Sequence, residues 1–359
     1  MKLRALSVEN CRNIAKAEFE ADEALTVITG QNAQGKTSLL ECIWLLTGSK
    51  SFRGAKDIEL VKEKELFGRV VGDTLADGRD MRIEITIAGE DSGKRGRSAK
   101  VNGVPYGRAT DIAGRFTAVV FDPGHLSLVK GGPEGRRRFM DAALCQLYPG
   151  YITTLRRYTR AVSQKNALLK QYRETPDAPS LLEAFDAEMA AAGEEITRRR
   201  RDYLGLLGPL AESLYSEISS GKETLTLSFL PTCEEGGLLQ ELRDSRAADI
   251  RAGFCTTGPH REDFETAIDG RSARSFGSQG QQRSVAIGLK LAEAATAKEV
   301  TGEHPVMLLD DVLSELDETR QMYLLSRIND RQSFVTTCDA SAFSRVAGRV
   351  ITLQAGALV

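Results

Sequence analysis

The sequence is poor in the residues that build stapled or metal-held folds. Its six cysteines, Cys11, Cys42, Cys145, Cys233, Cys255 and Cys338, are scattered and include no C-x-x-C pair. That argues against a disulfide framework or a zinc site and for reduced thiols. The three histidines stand apart and mark no metal cluster. No apolar run is long enough to span a bilayer, and the opening Met1-Lys2-Leu3-Arg4-Ala5-Leu6 has no signal-peptide core. A soluble, cytoplasmic protein with no membrane partner is therefore expected. Neither sign of charge dominates: 48 basic against 50 acidic residues leave a net charge of −2. Any contact with nucleic acid must come from local patches. Aromatics are 6% of the residues and few interleave with the basic clusters, so such patches would hold backbone phosphates rather than stack bases.

What is present is organised around Gly30-Gln31-Asn32-Ala33-Gln34-Gly35-Lys36-Thr37, which reads G-x-x-x-x-G-K-[ST]. An apolar, β-branched strand, Leu25 to Thr29, leads in, and a helix from Ser38 to Leu46 follows, stopped at Gly48. Backbone N–H groups of such a loop, on a helix N-terminus, form a nest for the α- and β-phosphates of ATP. Lys36 then reaches the β- and γ-phosphates, and the Thr37 hydroxyl holds Mg²⁺.

The length, 359 residues, suits two or three domains. Residues 3–9 and 25–29 read as strands flanking a turn at Asn10-Cys11-Arg12-Asn13. Met81, Ile83, Ile85 and Ile87 fall on one face at period two, a half-buried antiparallel strand. Asn102-Gly103 between Val101 and Val104 signals a two-residue hairpin. A meander beside the nucleotide loop follows from these, and Ala118 to Phe121 is a short buried strand ended by Asp122-Pro123-Gly124. From 151 to 220 the apolar spacing is helical, broken at Thr175-Pro176-Asp177-Ala178-Pro179, with Ser180 and Glu183 offering a capping box for the second helix. Two long helices joined by a short loop make an antiparallel arm. The expected layout is an ATPase head over 1–135, a helical arm over 136–250, and the rest of the head over 251–359. The fold class is α/β: a phosphate-loop head with a mixed sheet and antiparallel meander, plus a helical second lobe.

Near the end, Val306-Met307-Leu308-Leu309-Asp310-Asp311 describes a buried strand delivering two acids to its carboxyl end, where open α/β sheets place ligands. Asp310 is the candidate Mg²⁺ ligand opposite Thr37, directly or through water. Asp311, pointing to the other face, is the candidate general base or water-positioner. A second polar turn, Ser275 to Arg283, opens the helical run Ser284–Ala297. Its Ser278, Gln279, Gly280 and Gln281 offer another phosphate-binding surface at a helix start. One nucleotide hardly needs two such surfaces from one subunit, so this one is read as meeting the γ-phosphate held by a partner copy.

With these motifs in hand the chain resembles the RecF family, bacterial recombination-repair ATPases of the ABC-type, SMC-like head class, over nearly its full length. The pieces are Asn10 to Asn13, the phosphate loop, Pro123 with Gly131 to Asp141, Gly258-Pro259-His260-Arg261-Glu262-Asp263, Ser278 to Arg283, and Leu309 to Asp317. The resemblance implies that Ser278 to Gln281 is the signature acting across an ATP-dependent homodimer. It makes Ser314-Glu315-Leu316-Asp317 the D-loop at that interface, with Ser314 and Asp317 in contact roles. It also implies DNA binding near single-strand gaps and junctions, recombinase loading, support of replication restart and SOS induction, and partnership with RecR (with RecO). The turnover it implies is that of a switch, a weak DNA-stimulated ATPase. Asp311 is one methylene shorter than the Glu common at this place in related ATPases, which fits slow hydrolysis.

The chain departs from the family pattern at Gly124, where an acid is usual, and at Glu262, where an Asp is usual. The switch histidine of transporter ATPases is missing from Thr336-Thr337-Cys338-Asp339, and Asp122-Pro123 sits near where a glutamine loop belongs.

Basic residues cluster at Lys94, Arg95, Arg97 and Lys100, at Arg136, Arg137 and Arg138, and at Arg156, Arg157, Arg160 and Lys165. Four more, Arg198 to Arg201, spread around a helix. Arg156, Arg157 and Arg160 share a face, and with the hairpin loop and Arg136 and Arg137 they are the candidate DNA contacts. Other readings are a transporter nucleotide-binding subunit, a structural SMC-like head with negligible turnover, and a small-molecule P-loop kinase. The inserted arm and missing histidine oppose the first, and the kinase would need neither the second polar turn nor a dimer.

Overall fold

The computed structural model describes residues 1–338 and 348–359. The chain begins with β1 (Lys2–Cys11), β2 (Ile14–Glu20), β3 (Leu25–Thr29) and α1 (Lys36–Leu45). Then come β4 (Phe67–Ala76), β5 (Arg79–Ala88), β6 (Arg97–Val101), β7 (Val104–Tyr106) and β8 (Ala118–Phe121). A helical stretch holds α2 (Pro133–Leu147), α3 (Tyr151–Lys170) and α4 (Ala178–Ile218). Next are β9 (Leu225–Leu230), α5 (Leu238–Asp244), α6 (Arg246–Ala252), β10 (Asp263–Ile268), β11 (Arg271–Ser272), α7 (Ala273–Phe276) and α8 (Gln279–Thr301). Last come β12 (Val306–Asp310), α9 (Glu318–Ile328), β13 (Ser333–Thr337), β14 (Arg349–Gln354) and β15 (Ala357–Leu358).

Two six-stranded sheets enclose α1. One is antiparallel, ordered β2-β1-β4-β5-β6-β7; the other, ordered β15-β14-β3-β13-β12-β8, is parallel except at β15. Residues from Ser38 to Leu45 on α1 are all buried, Glu41 among them with its charge met by Arg12. The parallel strands are covered on both faces. Leu308 of β12 packs with α1 and the antiparallel sheet, whereas Met307 and Leu309 pack with Ile287 and Leu291 of α8 and Leu324 and Ile328 of α9. On β5 the period-two face is as expected: Ile83, Ile85 and Ile87 are buried. Asn102 and Gly103 have φ of 50° and 80°, the paired positive values of a type I′ turn, and Val101 pairs with Val104.

The helical lobe has its own core. Met189, Ile196, Tyr203 and Leu207 of α4 pack against Phe139 and Leu144 of α2 and Val285 and Leu289 of α8. This core continues past residue 250, taking in Phe264 and Ile268 of β10 and Ala273. α8 thus serves both lobes, one face to each.

Three local expectations are corrected. The segment between the first turn and β3 is a strand, β2, and the turn is confined to Arg12-Asn13. Its buried set, Ile14, Ala17 and Phe19, breaks strict alternation and hides the pattern. β9 is a strand inside the span expected to be helical; it pairs with β10 in a small sheet of the helical lobe. α4 starts at Ala178 with Pro179 in its first turn, so Ser180 lies inside the helix and there is no capping box. A proline is free to occupy that turn because its missing N–H would have no partner there. Glu183 instead pairs with Arg243 and Arg246 across to α5 and α6. The parallel sheet continues past β13, since β14 pairs parallel with β3.

Buried polar contacts fix the helical lobe. Arg200, 2% exposed, forks onto Asp141 at 2.9 and 3.0 Å and reaches Glu262 at 2.9 Å. His260 bonds through Nε2 to the Cys255 carbonyl at 3.1 Å and through Nδ1 to the Tyr158 hydroxyl at 2.7 Å. Burial lowers the His260 pKa to about 4, and the nearby charges of Arg261 and Arg137 push the same way.

Arg200→Ala leaves the buried Glu262 and the half-buried Asp141 without their cation and is expected to cost about 3–5 kcal/mol, measured by denaturant unfolding. His260 binds its proton more weakly folded than unfolded. Stability should therefore fall as pH drops from about 6.5 to about 4, by up to about 3 kcal/mol. His260→Asn should flatten that slope in unfolding midpoints taken across the range.

Candidate nucleotide site

The loop from Gly30 to Lys36 joins the carboxyl end of β3 to the start of α1. Its backbone coils through positive φ at Gly30 (151°), Ala33 (64°) and Gly35 (108°). Gly30 has no room for a side chain, because a Cβ would lie 2.4 Å from the Leu353 carbonyl oxygen on β14. At Gly35 a Cβ would press on the Asn13 side chain at 3.0 Å. Lys36 is 7% exposed. Its Nζ donates to the carbonyls of Gly30 at 2.6 Å and Gln31 at 3.0 Å, and lies 3.3 Å from Cys338 Sγ. An ammonium held across a loop mouth by backbone carbonyls is placed to turn to a polyphosphate.

Thr37, 273 residues away in sequence, donates from its hydroxyl to Asp310 Oδ1 at 2.9 Å. The Thr336 hydroxyl of β13 donates to the same oxygen at 2.9 Å and accepts the Asp311 N–H at 2.8 Å. Burial raises the Asp310 pKa above the ordinary carboxylate value, with the negative charges of Asp122 and Asp311 adding and the two threonine bonds opposing. A buried acid pressed by two others is in a setting that a cation relieves. Among the described residues no group of three or more acids, cysteines or histidines could hold a metal by itself. The donor set, one hydroxyl and one carboxylate, fits Mg²⁺, which completes its shell with water and phosphate oxygens. Asp311 is left-handed at φ 51°, a costly conformation for a non-glycine residue, and its carbonyl accepts from the Ser314 hydroxyl at 2.7 Å. It does not cap the short helical turn that follows, whose N-cap is Val312.

A cavity of about 890 Å³ opens over this loop, lined by Asn32 to Ser38, Asp310, Asp311 and Thr336. Its far wall was not foreseen from the residues alone: Arg12, Asn13, Arg53, Glu59 and the run Val61 to Lys64. Arg12 is held there by Glu41 of α1 through Nε at 3.0 Å and by the Glu59 carbonyl at 2.8 Å. No spacing links these segments in sequence. The one signal was the Asn10 to Asn13 turn.

Ser278 to Gln281 do not line this cavity. Ser278 is the N-cap of α8, in a capping box with Gln281 (2.8 and 3.2 Å), and Gln281 also donates to Glu223 at 2.7 Å. Asp317 caps α9, accepting from the Arg320 N–H at 3.0 Å. Cys338, in the segment that lacks the switch histidine of transporter ATPases, donates to Asn32 at 3.0 Å, whereas Asp339 lies outside the described residues.

The basic candidates divide. Arg136 is 5% exposed and forks onto Asp263 at 2.7 Å through both arms, so it ties α2 to β10 and cannot face DNA. Lys165 is buried between Asp186 and Asp249 at 2.9 and 2.8 Å. Arg97 is buried against Asp57 at 2.8 Å. Their charges were visible in the sequence, but their acidic partners are distant along it. Arg137 is half-buried and donates to the Glu262 carbonyl at 2.8 Å. Arg157 and Arg160 are exposed, and Arg156 is half-buried near Arg97, whose pKa is lowered by its own burial and by the Arg156 charge despite Asp57.

The family model RecF/RecN/SMC N terminal domain matches residues 2–355. A DNA replication and repair protein RecF of Heliobacterium modesticaldum is 39% identical, covering all of this chain and 99% of its own length. Its counterpart in Agathobacter rectalis is 35% identical over 96% of this chain and 94% of its own. A solved structure described as the recombination mediator protein RecF-ATP in the RecFOR pathway is 36% identical and superposes with a TM-score of 0.89 over 99% of this chain and 96% of its own. An Smc head domain of Pyrococcus furiosus shares the fold at 15% identity, with a TM-score of 0.54 over 99% of this chain and 94% of its own. The fold, the phosphate loop and the full-length likeness agree: the chain belongs to the RecF family of ABC-type, SMC-like ATPase heads.

Proposed function

We propose that the chain is an ATP-gated DNA-binding switch of recombinational repair, which closes into a homodimer on single-strand gaps and reopens after slow hydrolysis. The observation that carries this reading is the bond from Thr37 to Asp310, which brings the two halves of a nucleotide site to one point. The loop amides from Gly30 to Gly35 and the Lys36 ammonium hold the triphosphate. Thr37 and Asp310 would hold Mg²⁺, which would supply positive charge against the phosphate oxygens. Asp311 orients the attacking water and takes its proton. Turnover stays slow because this carboxylate reaches one methylene less than a Glu would.

Ser278 to Gln281 do not line the cavity over the phosphate loop of their own chain, and the capping box uses the Ser278 and Gln281 amides, so it is the Gln279 and Gly280 amides that would close over the γ-phosphate of a second copy. Ser314 and Asp317, on the loop after Asp311, would stand at the same seam. The binding energy is used to select the closed dimer rather than to drive a chemical conversion. Exposed Arg157 and Arg160, with Arg156 and Arg137, supply backbone contacts for gapped DNA. RecR, with RecO, is the partner expected from the pathway of the solved relatives, and the site of action is the cytoplasm. Lobe I is assigned to 1–135 and 251–359 and lobe II to 136–250, with the core of lobe II borrowing β10 and α8.

Lys36→Ala should weaken ATP binding at least about 100-fold by calorimetric titration, as loss of a buried charge-assisted contact does, and should abolish ATP-driven dimerisation in sedimentation. A Lys36→Ala chain that still dimerises with ATP would defeat the phosphate assignment. Ser278→Arg should leave ATP affinity of the monomer near the wild-type value yet block association. A large loss of nucleotide affinity in that monomer would mean Ser278 serves its own subunit.

A further inference from the structure

The first turn of α9 grips two motifs at once. On one side the Arg320 guanidinium donates through Nη2 to the Gly280 carbonyl at 2.9 Å and through Nε to the Ser284 hydroxyl at 2.9 Å. Ser284 itself donates to Gly280 at 3.0 Å, closing a ring on the second residue of α8. The remaining arm, Nη1, pairs with Asp317. On the other side the neighbouring Gln321 donates to the carbonyls of Leu313 at 2.7 Å and Leu316 at 2.9 Å, holding the loop that leaves Asp311. Further along the same helix Tyr323 bonds the Leu214 carbonyl at 3.2 Å and Arg327 pairs with Glu217, both on α4.

The guanidinium also packs close against Gly280. Its φ is not positive, so backbone freedom is not the reason for a glycine there, but a Cβ would lie 3.0 Å from Arg320 Nη2. A cation beside the positive end of α8 is unfavourable unless neutralised, and Asp317 supplies the counter-charge. Lysine could not replace it, because one ammonium cannot span Gly280 and Ser284 in fixed fork geometry.

We propose that Arg320 is a positioning residue that holds the Ser278–Gly280 turn at a fixed attitude to the loop carrying Asp311, so that a turn seated on a second copy's triphosphate also sets the water-activating carboxylate of its own chain. This rests on the reading of Ser278 to Gln281 as a contact made across a dimer. The two composite sites of the closed dimer are thereby coupled through α9, by rigid contact and not by charge at a distance.

Wild type, Arg320→Met, Arg320→Lys and Ser284→Ala are compared in three measurements: binding of a fluorescent ATP analogue to dilute protein, sedimentation with ATP and gapped DNA, and steady-state hydrolysis. Both Arg320 variants should bind the analogue within about two-fold of wild type, with unchanged KM and reduced kcat. They should dimerise roughly ten-fold more weakly, as loss of a charge-assisted fork predicts, and lysine should not rescue. Ser284→Ala, which removes one acceptor and leaves the arginine, should fall between; it decides the matter if the Arg320 variants do not fold. Variants that dimerise and turn over like wild type overturn the proposal, as does rescue by lysine. A wild-type chain that stays monomeric with ATP and gapped DNA overturns the composite-site reading itself, and this inference with it.

Discussion

The hydrogen bond from Thr37 to Asp310 constrains the rest of the architecture. It joins the first residues of α1 to the carboxyl end of β12, and Thr336 of the intervening strand β13 bonds the same carboxylate oxygen. For those three residues to meet, β13 must lie between β3 and β12, which is the sheet order found. Everything between β8 and β12 in sequence must then leave the sheet and return. The helical lobe is that excursion. Its ends are held by β8 and β12, paired in parallel from Ala118 with Val306 to Phe121 with Leu309.

The electrostatics at that point follow from the same packing. Strands buried on both faces bring Asp122, Asp310 and Asp311 to one edge of the sheet, and burial makes the middle acid hard to ionise. The charge there is one that a cation would relieve, which supports the proposed holding of Mg²⁺ by few protein ligands. Lys36, tied to Gly30 and Gln31, is the matching positive group.

Two helices keep the lobes from being independent. α8 buries Val285 and Leu289 against the helical lobe and Ile287 and Leu291 against the parallel sheet. α9 buries Leu324 and Ile328 beneath the sheet while its polar side reaches α8 and α4. A displacement of the α8 N-terminus would be transmitted through close-packed side chains that have little room to absorb it.

Local chemistry was legible in the sequence wherever the signal was local. The phosphate loop, the strand Val306–Asp310, the type I′ hairpin at Asn102-Gly103 and the buried face of β5 each rest on spacing over a few residues, where backbone geometry imposes its own period. β2 was missed because its buried residues slip out of alternation, and the Ser180 capping box failed because Pro179 opened the helix a turn earlier. Composition could not sort the arginines and lysines, since Arg136, Lys165 and Arg200 owe their burial to acids on other elements. The sequence by itself therefore determined most of the strands and helices, though not β2 or β9, and marked the loop proposed to bind phosphate. Only the tertiary structure decided which charges are spent inside the protein and which walls complete the cavity. Those depend on long-range pairing, and residue spacing carries no information about the partner a buried charge will find.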